Sequence, residues 1–104
     1  MSNDGIDIEK ARREELRWLI LKALYAAQPV GTSERIIHNA VSIVIMDTTG
    51  LEVRRELAYL AERNLAQIVS REPIWFAKID WHGVDVVEYT VDCLPGIARP
   101  KKWW

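Results

Sequence analysis

At Leu65 the apolar period of this 104-residue chain changes from helical to alternating, and that change limits what it can fold into more than any other feature. Upstream, Val53, Leu57, Leu60 and Ala61 recur at helical spacing. Downstream, Ala66 and Ile68 alternate with Gln67 and Val69, and Trp75, Ala77 and Ile79 alternate with Phe76 and Lys78, the period of paired strands. The short loop around Arg71-Glu72-Pro73 closes them into a hairpin, since Pro73 suits a turn or strand end but not a paired interior position. The start of the helix is equally marked. Thr49-Gly50-Leu51-Glu52 is a capping box, in which hydroxyl and carboxylate satisfy reciprocal backbone donors. Asn64 is the expected left-handed terminator, and Leu65 turns into the core.

Two more helices precede this pair of elements. From Ile8 to Ala27 there is no Pro or Gly, and Leu16, Leu19, Ile20, Ala23, Leu24 and Ala27 form an apolar stripe. Gln28-Pro29-Val30-Gly31 ends that helix, because proline cannot continue the hydrogen-bond ladder. Thr32 or Ser33 then caps a second helix through Ile36, Ile37, Ala40, Val41 and Val44, with a break at Asp47 and Thr48. Asp80 caps a fourth through Val84, Val87 and Val91. Three helices followed directly by a hairpin is the order of a winged helix-turn-helix. The expected fold is therefore α+β and mostly helical: a three-helix core, a two-stranded hairpin wing, an additional C-terminal helix and an extended tail. The expected boundaries are a flexible N-terminus at 1–7, the domain at 8–94 and the tail at 95–104.

Composition narrows the function classes. Fourteen Lys and Arg against fifteen Asp and Glu give a net charge of −1, so no overall positive field draws the chain to nucleic acid and any such contact must be a local patch. Cys93 is the only cysteine, which excludes an intrachain disulfide and a paired-cysteine zinc site and suits a reducing cytoplasm. His38 and His82 lie far apart, without a carboxylate or thiol at ligand spacing, so neither a metal nor another cofactor is expected. The longest apolar run, Trp18 to Leu21, is too short to span a bilayer. No Gly-rich phosphate loop, nucleophile elbow or carboxylate pair is present, so no enzymatic activity is expected.

The stretch from Val53 through Arg54, Arg55, Glu56, Leu57, Ala58, Tyr59, Leu60, Ala61, Glu62 and Arg63 to Asn64-Leu65 resembles the recognition helix and following turn of ArsR-type winged-helix regulators, with Asn64 where that pattern has Gly. More broadly, Ala11-Arg12-Arg13-Glu14-Glu15-Leu16-Arg17, His82-Gly83-Val84-Asp85-Val86-Val87-Glu88-Tyr89-Thr90 and Pro95-Gly96-Ile97-Ala98-Arg99-Pro100 are similar to small ArsR-like winged-helix proteins of Mu-like phages and prophages. The resemblance implies a dimeric DNA-binding protein, a transcription regulator or DNA-site adaptor reading double-stranded DNA with its third helix. Metal sensing does not carry over, because no cysteine lies between Thr49 and Asn64. On this reading Arg54 and Arg55 are the residues able to make bidentate guanine or phosphate contacts, and Leu51 could touch a thymine methyl. Arg71 in the wing and Arg35 on the second helix would reach the backbone. Against it, Glu52, Glu56 and Glu62 balance Arg54, Arg55 and Arg63 along the third helix. The competing expectation is a winged helix that meets a protein, for example in a phage packaging or assembly complex.

Trp18, Leu21 and Tyr25 form a second apolar stripe on the first helix, opposite the core stripe. A homodimer through that face is the expectation, and coverage by the fourth helix or the tail is the alternative. Lys101-Lys102-Trp103-Trp104 reads either as a grip on nucleic acid or a partner, or as indoles folded back on the domain.

Overall fold

A computed structural model describes residues 5–104. Part of the N-terminal segment 1–7 expected to be flexible, residues 1–4, lies outside the described residues. The chain runs α1 (Ile8–Ala26), β1 (Thr32–Ser33), α2 (Glu34–Val41), α3 (Gly50–Glu62), β2 (Ala66–Ser70), β3 (Phe76–Ile79) and α4 (Trp81–Val87). It is a small α+β domain of four helices and a three-stranded antiparallel sheet ordered β1-β3-β2.

Local chemistry explains most element boundaries. Asp7 caps α1, Ser33 caps α2 and Asp80 caps α4, each side chain accepting a backbone N–H of the following turn. Both halves of the Thr49/Glu52 capping box are formed. Asn64 takes a left-handed φ of 62°, the Leu65 N–H bonds to the Leu60 carbonyl and the Asn64 N–H to that of Ala61. This Schellman closure turns the chain straight into β2. The same closure ends α4 early: Tyr89 has φ 63°, with Thr90 N–H on the Asp85 carbonyl and Tyr89 N–H on that of Val86. The helix expected to run to Val91 therefore stops at Val87. α2 also stops short, at Val41 and not Val44, and passes into tight turns tied down by the His38 Nε2 hydrogen bond to the Thr48 carbonyl (2.6 Å).

The hairpin pairs Ala66 with Ile79, Gln67 with Lys78 and Ile68 with Ala77, and an irregularity between Ile68 and Ser70 shifts the register before the loop. Thr32 and Ser33 add a third strand on the far side of β3, opposite Ala77 and Phe76.

α1 is the central element, packing against α2, α3, α4 and β3. Leu16, Ile20, Leu21, Leu24, Ile37, Val53, Leu57, Leu60 and Ala77 have no exposed surface. Gly83 is buried where α4 crosses the α3–β2 junction, and a Cβ there would strike the Leu65 carbonyl. Segment 95–104 forms neither helix nor strand, yet it is tied to the domain at several points. Ala98 N–H reaches the Glu14 carbonyl, Arg17 Nη1 the Gly96 carbonyl, and Arg99 Nη1 the carbonyls of Val86 and Val91.

One expectation is corrected by this arrangement. Trp18 is 6% exposed and Leu21 is fully buried within a single chain, while the Tyr25 hydroxyl donates to Glu88 Oε2 just past α4. Because α1 is wrapped on several sides, Trp18 and Leu21 face the interior of the chain itself and Tyr25 is half-buried against the end of α4, so the stripe is largely covered within one chain.

Candidate nucleic-acid interface

α3 buries Val53, Glu56, Leu57 and Leu60. The helical repeat then leaves Leu51 and Arg55 exposed on the opposite side, with Glu62 and Arg63 at the C-terminal end. Along the linear sequence the charges of this helix cancel, but in three dimensions its carboxylates and guanidiniums part company. Glu52 turns back to α1, where Arg12 donates to it and also to Asp47. That pairing first, and the Thr49 N–H, hold the Glu52 carboxyl below its ordinary range, while the bonds to Glu52 and then Asp47 hold Arg12 above its own. Glu56 is 2% exposed and accepts from Arg17 Nε at 2.7 Å. Of the helix's three carboxylates, only Glu62 remains without an α1 partner. Arg55, by contrast, makes no hydrogen bond or ion pair among the described residues.

Arg54 has a different place from the one expected. Its Nε and Nη2 donate to the two oxygens of Glu34 at 2.7 and 2.8 Å, a fork-to-fork pair across α2 and α3. Glu34 is 9% exposed and also accepts the Trp75 N–H at 2.7 Å, while its own N–H goes to the Trp75 carbonyl at 2.8 Å. Arg54 first, with the Trp75 N–H helping, outweighs burial and lowers the Glu34 pKa. The bidentate edge of Arg54 is thus already occupied, and its guanidinium lies 5.3 Å from the Trp75 ring centroid. Arg54 is a positioning residue here, joining the second and third helices to the hairpin.

Trp75 carries the arrangement into the loop, because the Arg71 guanidinium lies 4.9 Å from its ring centroid. Arg71 is exposed and so is Arg35 in the first turn of α2. Leu51 is 66% exposed at the start of α3. The structure therefore gives α2, the N-terminal half of α3 and the hairpin a shared node of Glu34, Arg54 and Trp75, with Arg71 held beside it. Sequence reading missed Glu34, whose partners lie 20 and 41 positions away. For Trp75 the alternation shows only a place at the start of the second strand, and no local signal distinguishes a core indole from a bridging one.

Other candidates fall into structural roles. The His38 ring bonds to the Thr48 carbonyl. Cys93 is half-buried, and burial pushes its thiol above the ordinary range. Among the described residues no group of three or more His, Cys, Asp or Glu is placed to hold a metal, and no helix is long and apolar enough to cross a membrane. The terminal indoles stay outside: Trp103 is 87% exposed, and Trp104 meets the Tyr89 ring edge-on at 5.1 Å.

No protein-family model matches the chain, and no curated protein or solved structure does either.

Proposed function

We propose that the chain is a winged-helix protein that binds double-stranded DNA, presenting α3 to the major groove and the β2–β3 hairpin as its wing. The element order and the β1-β3-β2 sheet are compatible with that fold. The observation that carries the functional reading is the partition of charge on α3. Glu52 and Glu56 are neutralised by α1 arginines, so Arg55 stands without a carboxylate partner beside exposed Leu51. Arg55 and Leu51 would meet base edges, while Arg71 and Arg35 would meet phosphates. Arg54, already paired with Glu34, would hold the wing and α3 in register and contact DNA only through its remaining edge. The resemblance to ArsR-like proteins of Mu-like phages supports a role as a transcription regulator or DNA-site adaptor.

Fluorescence anisotropy with a mixed-sequence duplex over a salt series tests this. The expected result is affinity that falls steeply with salt, with the logarithmic slope reduced by about one for each phosphate-contacting arginine replaced, as in Arg71→Ala. Absence of binding at low salt would leave the fold without this function. The alternative reading, a winged helix that docks a protein in a phage assembly, is favoured by one observation: the exposed indoles of Trp103 and Trp104.

A further inference from the structure

Asp92 is the last acidic side chain of the sequence, and the residues after it carry Arg99, Lys101 and Lys102 with no Asp or Glu. In a chain of net charge −1 this end is a local reversal of sign. None of the three cations makes an ion pair among the described residues. The segment is held in place, since besides the bonds made by Gly96, Ala98 and Arg99 the Tyr89 hydroxyl donates to the Pro100 carbonyl at 2.6 Å. Tyr89 brings its ring to the same spot from the left-handed turn that closes α4. Arg99 lies 4.2 Å from that ring's centroid, and Trp104 stands 5.1 Å away on it. Trp103 continues the series at 5.7 Å from Trp104, and Lys102 Nζ is 5.5 Å from the Trp104 ring. The rings meet at 76° and 84°, so they do not cover one another as a stack would. Trp103 is left 87% and Trp104 65% exposed. Along this row runs a groove of about 980 Å³ whose walls include Tyr89, Leu94, Arg99, Lys101 and Lys102, with Asp92 as its one carboxylate.

We infer that this row binds a single strand of nucleic acid, stacking unpaired bases on the Trp103 and Trp104 indoles while Lys101 and Lys102 meet the phosphates. Continuous rings with cations set against them match the bases and phosphates of a strand, and every base has a face to stack. In a duplex those faces already lie on one another, so this site and the α3 face take different forms of nucleic acid. A protein partner fits less well, because interfaces keep lysine away from their buried centres and here Lys102 sits at an indole. Anchoring of the segment at Gly96, Ala98, Arg99 and Pro100 lowers the ordering cost of binding. The inference does not rest on the reading of α3.

Fluorescence anisotropy of labelled oligothymidylate and oligouridylate, each about twelve nucleotides long, with the full chain at low salt tests it. Either strand should bind, the two distinguishing DNA from RNA, and an abasic phosphodiester chain of the same length should bind far more weakly. Trp103→Ala with Trp104→Ala alters only exposed positions and should weaken the strand by about tenfold or more, stacking being worth roughly five- to a hundredfold per base. Lys101→Gln with Lys102→Gln should flatten the salt dependence. Circular dichroism of each variant checks that it is folded. Arg55→Ala with Arg71→Ala should leave the strand's affinity unchanged, which keeps this result separate from the duplex measurement. Failure of both strands to bind would overturn the inference and leave the indoles to a protein partner. Equal binding of the abasic chain, or an affinity that survives loss of both indoles or falls with Arg55 and Arg71, would overturn it as well.

Discussion

Replacing Glu34 with Ala is the perturbation that most directly probes how the hairpin is joined to α3. The carboxylate is nine-tenths buried and takes three short hydrogen bonds, two from Arg54 and one from the Trp75 backbone. These partners would not suffer alike. The Arg54 side chain is 43% exposed, so its guanidinium recovers hydration and that part of the pairing is screened. The Trp75 N–H sits in a half-buried strand approach and loses its acceptor, at a cost of about 1–3 kcal/mol. For a domain of this size that corresponds to a fall in Tm of roughly 5–15 °C. Thermal unfolding followed by circular dichroism measures it. The pH dependence supplies an independent check. The Glu34 carboxyl is lowered in the folded state from its ordinary value of 4.5, so its contribution is complete above that value and disappears as pH falls below it toward the lowered folded value. Glu34→Gln keeps an acceptor for the Trp75 N–H but cannot titrate, so its acid limb should be flatter than that of the wild type. If Glu34→Ala unfolds within 0.5 kcal/mol of wild type and its acid limb is unchanged, the node does not hold the hairpin.

Three further outcomes follow from the packing. Gly83→Ala should destabilise the domain by about 1–3 kcal/mol in urea unfolding, since its Cβ meets the Leu65 carbonyl and α4 must shift; an unchanged midpoint would mean α4 sits farther away. Trp18→Ala should cost about 3–5 kcal/mol, the price of a core indole, whereas a stripe open to solvent would tolerate it. Cys93 should react slowly with a thiol reagent at pH 7.5 and much faster in denaturant, because burial raises its pKa; equal rates would place the thiol in solvent.

What the sequence disclosed was local, and what it hid was long-range. The Thr49/Glu52 box, the Asn64 turn and the alternation after Leu65 each depend on neighbours within a few positions, and all three appear in the structure. β1 is two residues long and has no period to detect. Tyr89 at positive φ ends α4, although tyrosine carries no preference that announces such a turn. The Trp18 stripe looked external because a helical wheel shows which residues share a face but not how many neighbours surround the helix. The charge balance of α3 failed as a guide for the same reason: Glu52 and Glu56 meet Arg12 and Arg17, 40 and 39 positions away.

Amide chemical-shift mapping of the full chain against a mixed-sequence duplex at low salt addresses the DNA reading residue by residue. The account predicts that the largest shifts fall on Leu51, Arg55 and Ala58 of α3 and on the Ser70 to Ile74 loop, with smaller ones at Arg35. Shifts confined to 95–104, or none at all, would contradict it.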